Sequence, residues 1–206
     1  MIVTEIVEIS KRQSRVIVDR ESDFVLYRSE INRYGIKQDQ ELTQETYQKI
    51  MGELLPHRAK LRAMHLLQSR DYTEKQLRDK LQDGGYPEQI VIQALEYVKS
   101  FHYIDDLRYA EDYLKTFAGR RSLRRMEQDL QQKGIGKTVI EQAVREWQQQ
   151  EGGQDELQMA CELLKKKHYD REKCDRKELQ RFYRFLLYRG FSAEIVQKAL
   201  NTDWEE

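Results

Sequence analysis

Residues 101–147, FHYIDDLRYAEDYLKTFAGRRSLRRMEQDLQQKGIGKTVIEQAVREW, read as three short helices with two breaks. Asp105 or Asp106 can cap the first helix, whose positions Tyr109, Ala110, Tyr113, Leu114 and Phe117 keep a spacing of three or four. Gly119 ends it, and Ser122 is placed to cap a second helix carrying Leu123, Met126 and Leu130. Gly134-Ile135-Gly136 breaks that helix, and a third carries Val139, Ile140, Ala143, Val144 and Trp147. One such unit is too small to bury its own apolar stripes, so it should recur.

Aligning Gly85, Gly134 and Gly190 brings the rest of the chain into register. Four residues before the glycine stand Leu81, Leu130 and Leu186, and eight before stand Leu77, Met126 and Phe182. One residue after come Tyr86, Ile135 and Phe191; five after, Ile90, Val139 and Ile195. Ala94-Leu95, Ala143-Val144 and Ala199-Leu200 follow at nine and ten. The opening helix of each unit matches as Ala63/Leu66/Leu67, Ala110/Tyr113/Leu114 and Ala160/Leu163/Leu164. Unrelated amphipathic helices can be slid into partial agreement, but six columns around one glycine argue for a true repeat. The glycine has a physical reason, since the residue just past a helix end often sits at positive φ, where a side chain costs energy. Nine principal helices in three units are expected, with joins near Tyr103–Asp106 and Gln150–Gly153.

Three tandem three-helix units, with Phe101, Tyr103, Ile104, Asp105, Asp106, Tyr109 and Ala110 in the second and Lys133-Gly134-Ile135 at its turn, resemble the RecX family of recombinase regulators. The resemblance spans Ala59 to Leu200 and is strongest in the first two units. It implies a protein without a catalytic motif or cofactor that binds the RecA recombinase filament. Such a protein would restrain ATP hydrolysis, strand exchange and coprotease activity in recombination and SOS repair.

Charged residues make up 35% of the 206, and mean hydropathy is −0.87, so the core must be lean. An elongated array of small helical units suits that better than one globule, because each unit contacts only its neighbours. Thirty-six basic and thirty-six acidic side chains cancel, so no global field draws the chain to DNA or membrane. Two prolines and abundant helix formers predict a mainly α chain. The opening MIVTEIVEIS lacks the basic flank and apolar core of a signal peptide, and no stretch approaches the roughly 18 apolar residues of a membrane span. Cytoplasmic location and reduced Cys161 and Cys174 are expected.

The exception to helix is the N-terminal segment. Ile2, Val3, Ile6, Val7 and Ile9, then Arg15-Val16-Ile17-Val18-Asp19, then Phe24-Val25-Leu26-Tyr27 read as a hairpin plus a third strand, a small antiparallel sheet. Thr43 heads a short helix with Tyr47, Ile50, Met51, Leu54 and Leu55 on one face, and Pro56 stops it or opens the next. Such a sheet has an open edge and should dock on the helical part or on a partner. The expected organisation is 1–56 for this segment, then 57–104, 105–150 and 151–206 for the three units.

No phosphate-binding loop, dinucleotide fingerprint or zinc-ligand spacing occurs, and His57, His65, His102 and His168 are scattered. Cys174 sits among Lys173, Arg176 and Lys177, which could lower its pKa. Asp105-Asp106 suits a helix start, where negative charge meets the positive dipole end; a partner contact is their second reading.

Local charge does stand out. Between Gly119 and Lys137, Arg120, Arg121, Arg124, Arg125, Lys133 and Lys137 oppose only Glu127 and Asp129. Over 165–189, ten bases including Lys165, Lys166, Lys167, Arg181 and Arg184 oppose four acids, and the 203–206 tail is acidic. Charge runs on helices are commonly solvated faces. The paired arginines, however, flank a helix start, where cations oppose the dipole. A local penalty kept in a lean protein points to use, on phosphates or on an acidic partner surface. Phe182 and Phe185 read as core, whereas Tyr183 lies off that face and is a candidate for exposure.

Two readings follow. The first is an interaction module whose contact set is Asp105, Asp106, Tyr109, Arg120, Arg121, Arg124, Arg125, Lys133, Lys165, Lys166, Lys167, Arg181 and Arg184; by the resemblance its partner is the RecA filament, with weak single-stranded DNA contact. The second is a single-stranded DNA-binding repeat protein without RecA. The helix-Gly turn-helix of Gln76–Leu95 superficially resembles a helix-turn-helix, but as recognition starts Pro87-Glu88-Gln89 and Lys137-Thr138 are mixed and Ser192-Ala193-Glu194 is unpromising. No long heptad seam appears, and a monomer is expected.

Overall fold

The computed structural model of the chain describes residues 1–202, so the acidic Asp203-Trp204-Glu205-Glu206 lies outside the described residues. The chain forms two compact units, one ending at Asp105 and the other beginning at Asp106. The segment 1–56 and the first helical set are therefore parts of one unit.

That first unit opens with β1 (Val3–Ser10), β2 (Gln13–Val18) and β3 (Ser22–Tyr27), paired antiparallel in that order. Val16 faces Ile6 on one side and Phe24 on the other, and Val3, Val16, Val18, Phe24 and Leu26 are buried. Asp19 and Arg20 both take positive φ between β2 and β3, matching the right-handed twist of the pair. A short helix α1 (Arg28–Arg33), which the sequence pattern did not reveal, follows directly. The Tyr27 amide donates to Glu30 Oε2 at 2.7 Å across its first turn.

Next come α2 (Gln44–Lys49), a π-helical turn Ile50–Leu54 and α3 (Leu55–Ser69), which run on continuously. Thr43 caps α2, its hydroxyl accepting from the Thr46 amide at 3.2 Å. Pro56 stands in the first turn of α3, the second of its two readings, although no break separates α3 from the π-helical turn before it. It lacks an N–H, and the wider turn, in which the Leu55 amide reaches the Ile50 carbonyl, accommodates it. The first helical set is completed by α4 (Glu74–Asp83) and α5 (Glu88–Ser100).

The sheet docks on this set and shares its core. The Val25 amide donates to the Gly85 carbonyl at 3.3 Å, and a Cβ on Gly85 would lie 2.1 Å from Val25 Cγ2. Arg58 of α3 ties the parts together: Nη1 donates to Glu30 Oε2 at 2.7 Å, and its guanidinium lies 4.4 Å from the Tyr27 ring centre.

The second unit holds α6 (Asp106–Phe117), α7 (Leu123–Gln132) and α8 (Lys137–Glu151), then α9 (Glu156–Lys166), α10 (Arg176–Tyr188) and α11 (Ala193–Asn201). In every set the first and third helices pack along each other: α3 on α5, α6 on α8, α9 on α11. Fully buried alanines lie on both members of each pair, Ala63 and Ala94, Ala110 and Ala143, Ala160 and Ala199. Short side chains there let the backbones approach closely.

The glycine register has a common geometric cause. Gly85, Gly134 and Gly190 have φ of 76°, 90° and 94°. At each, the glycine amide and the next amide fold back onto the helix, as Gly134 N to Gln131 O (2.9 Å) and Ile135 N to Leu130 O (3.1 Å). Leu81–Tyr86 and Leu186–Phe191 make the corresponding bonds. This is a Schellman cap, whose hydrophobic contact joins the two residues bracketing the bond. The columns four before and one after the glycine are that contact. At five residues after, Val139 and Ile195 are only half-buried, and Val91, Ile140 and Val196 one residue later are the buried positions.

Candidate functional site: an arginine-lined cleft between the second and third helical sets

Ser122 starts α7, its hydroxyl accepting from the Arg125 amide at 3.3 Å. The same hydroxyl donates to the Arg189 carbonyl at 2.8 Å, and a Cβ on Gly190 would lie 2.4 Å from it. The Gly190 turn of the third set thus sits against the α7 start of the second. Gln154 brackets the preceding turn, accepting from the Gly119 amide and donating to the Arg121 carbonyl, both at 2.9 Å. Glu156 accepts from the Leu123 amide at 2.5 Å. The apolar cores of the two sets remain separate clusters, so polar contacts make this joint.

A cleft of about 320 Å³ opens there, lined by Arg120, Arg121, Ser122, Arg125, Leu163, Tyr188, Arg189 and Phe191. Three of the candidate arginines line it; Arg124 stands exposed in the first turn of α7, whereas Arg120 lies in the turn before that helix. Arg189 and Tyr188 were absent from the sequence-derived set. Tyr188 is 86% exposed, the most open of the large apolar side chains among the described residues. Its position at the end of α10, off the Phe182–Leu186 face, was the available signal. Tyr183, expected to be the open ring, is half-buried against the third core.

The arginines are not equivalent. Asp129, its side chain only 10% exposed, accepts from Arg121 Nη1 at 2.6 Å and lies 3.3 Å from Arg125 Nε. The Tyr113 hydroxyl also donates to it at 3.0 Å and in turn accepts from Arg121 Nη1 at 2.7 Å. Burial and then the Asp129 hydrogen bond push the Tyr113 phenol up to about 12. Arg121 also lies 4.2 Å from the Phe117 ring centre. These two arginines therefore support the fold. Glu156 meanwhile supplies the negative charge that the α7 start would otherwise lack. The unfavourable placement of cations read from the sequence is thus offset locally. Arg120 and Arg124 are exposed and have no ion pair among the described residues.

Other candidates lie apart from the cleft lining. Lys133 stands 5.7 Å from the Tyr109 ring centre and 5.6 Å from that of Tyr113. Asp106 opens α6, with Asp105 immediately before it in the chain. Lys165, Lys166 and Lys167 are exposed at the end of α9, where cations suit the dipole, and Arg181 and Arg184 are exposed on α10. Phe182 packs edge-on to Tyr169 at 5.0 Å as part of the third core. Both cysteines are free thiols. Burial, then Glu178 and Asp175, raise the Cys174 thiol, overturning the lowering expected from its basic sequence neighbours. Among the described residues no helix is long and apolar enough to cross a membrane.

Comparison with known proteins gives a consistent result. Family models described as the first, second and third three-helix domains of RecX match residues 59–97, 105–144 and 154–200. "Regulatory protein RecX" of Caldanaerobacter subterraneus subsp. tengcongensis is 29% identical over 203 residues, covering 98% of this chain and 99% of that one. The protein of the same name from Vibrio parahaemolyticus serotype O3:K6 is 34% identical over 161 residues, 78% of this chain and 99% of that one. Among solved structures, one of regulatory protein RecX aligns with a TM-score of 0.64 at 22% identity, over 97% of this chain and 98% of that one. The fold, the three matched domains and the identity to full-length relatives together place this chain in the RecX family of regulatory proteins.

Proposed function

We propose that this chain binds the RecA recombinase filament and restrains its ATP hydrolysis, strand exchange and coprotease activity in recombination and SOS repair, acting as a cytoplasmic monomer without a cofactor. Membership of the RecX family supports the partner. The observation that carries the contact assignment is the exposed arginine face at the joint of the second and third helical sets. Arg120 and Arg124 project from it unpaired among the described residues, while Arg121 and Arg125 are held in place by Asp129. A charged rim of this kind steers and registers a large anionic partner. Lys165, Lys166, Lys167, Arg181 and Arg184 extend the basic surface of the third set. Asp105, Asp106, Tyr109 and Lys133 are assigned to the same binding role. Weak direct contact with single-stranded DNA accompanies it.

The test is capture of the full chain on RecA filaments assembled with an ATP analogue on single-stranded DNA, compared with free RecA and with bare DNA. Retention that needs the filament and survives moderate salt is the expected result. Equal retention on bare DNA, with no gain from RecA and steep loss as salt rises, would instead establish a single-stranded DNA-binding protein. The arginine-lined cleft is the observation that favours that second reading.

A further inference from the structure

The Arg189 backbone carries the joint through its carbonyl, but neither the Tyr188 ring nor the Arg189 guanidinium makes a hydrogen bond or ion pair among the described residues. Tyr188 is 86% exposed at the mouth of the cleft. An aromatic ring left open in this way gains nothing from packing. Arg189, next to it, lies 5.4 Å from the Phe185 ring centre, and no carboxylate stands at ion-pair distance among the described residues. Arg120, across the joint, likewise has none. The backbone donors at the α7 start are already used, Leu123 by Glu156 and Arg125 by Ser122. Any anion here is therefore met by guanidinium groups and not by the helix terminus. Phe191 and Leu163 give the cleft an apolar floor, and its volume is at the small end for a ligand site.

We infer that this cleft receives one nucleotide unit, its phosphate between Arg120 and Arg189 and its base laid on the Tyr188 ring. Guanidinium forks match phosphate oxygens in pairs, and every base offers a π face, so the site is tolerant of sequence. The unit belongs either to a single strand or to a free nucleotide. The inference deepens the direct DNA contact proposed above and is independent of RecA.

The test uses the full chain without RecA and reads fluorescence anisotropy. The probes are a labelled eight-residue oligo-dT and an abasic strand of equal phosphate number. Tyr188→Ala is expected to weaken oligo-dT binding about tenfold while leaving abasic binding unchanged, and Tyr188→Phe to retain wild-type binding. Arg120→Gln with Arg189→Gln is expected to weaken both probes and to lower the slope of log affinity against log salt by about 0.7, one phosphate's worth. Displacement by unlabelled dTMP at concentrations where inorganic phosphate fails would assign the site to free nucleotide; displacement only by oligo-dT would assign it to a strand. Unchanged oligo-dT binding by Tyr188→Ala overturns the inference, as does stronger competition by an acidic peptide than by unlabelled oligo-dT. Because RecA is absent, such a failure leaves the filament capture result standing on its own.

Discussion

Asp129→Asn removes one negative charge from a site where three donors converge, and its cost can be worked from the geometry. The carboxylate is 10% exposed and accepts from Arg121 and from the Tyr113 hydroxyl at 2.6 and 3.0 Å, with Arg125 at 3.3 Å. Breaking a fully buried ion pair costs about 3–5 kcal/mol. Here the two cations are 40% and 47% exposed, so water recovers part of their solvation. Exposed pairs are worth no more than about 1 kcal/mol each. The amide still fills the volume and keeps one oxygen, but its NH₂ faces guanidinium donors. A loss of ~2 kcal/mol follows, read as a lower urea midpoint at unchanged m-value. A double-mutant cycle with Arg121→Gln should return a coupling of about 1 kcal/mol or more. By the same reasoning, Arg121→Glu with Arg125→Glu would gather three carboxylates around Tyr113 and unfold the second unit at lower urea than wild type. An unchanged midpoint for Asp129→Asn, or strict additivity with Arg121→Gln, would refute the view that this triad holds the α7 start in place.

Tyr113 should make stability sensitive to alkali: its phenol is raised to about 12 in the fold against about 10 unfolded, so its contribution is complete below pH 10 and lost as pH climbs through 12. Tyr113→Phe should flatten the urea midpoint over that window, and an equally steep fall in the variant would contradict the assignment. Gly190→Ala combines a φ of 94° with a Cβ placed 2.4 Å from Ser122 Oγ, whereas Gly119→Ala, at 68°, meets open space. The first should cost ~2–3 kcal/mol and the second ~1 kcal/mol by urea titration, and equal losses would remove the close approach from the account. Arg58→Met would leave Glu30 unpaired, their side chains being only 13% and 11% exposed. A loss of ~3 kcal/mol in the first unit is expected, and thermal unfolding unaltered by the change would count against Arg58 as the tie between sheet and helices.

The repeat was legible because its defining device is local. A Schellman cap needs a glycine and two apolar residues five positions apart, and all three copies print that spacing in the chain. The sheet was legible from its β-branched runs. The six-residue α1 was not, because it is too short for periodicity and Glu30 is fixed by Arg58, 28 residues away. Nor was the cleft legible as a whole. Arg125 and Asp129 stand one helical turn apart and could have been paired by eye, but Arg121 reaches Asp129 from outside α7. Tyr188 and Arg189 meet the arginine cluster only because the Gly190 turn packs on Ser122, 67 residues apart by the Arg189 carbonyl bond. The bases beside Cys174 in sequence do not decide its thiol: burial, which the sequence does not show, raises it first, and Glu178 and Asp175, as near in the chain as the bases, add to that.

Action of the exposed arginine face on RecA is read in the rate of single-stranded-DNA-dependent ATP hydrolysis by RecA as the chain is titrated in. Arg120→Glu with Arg124→Glu is the informative variant, since neither residue is tied to Asp129 and thermal stability should be nearly unchanged. The wild-type chain is predicted to depress the rate, and the double variant to lose most of that effect at equal concentration. A wild-type chain that leaves hydrolysis untouched would contradict regulation of RecA, and a double variant as inhibitory as wild type would remove these arginines from the contact.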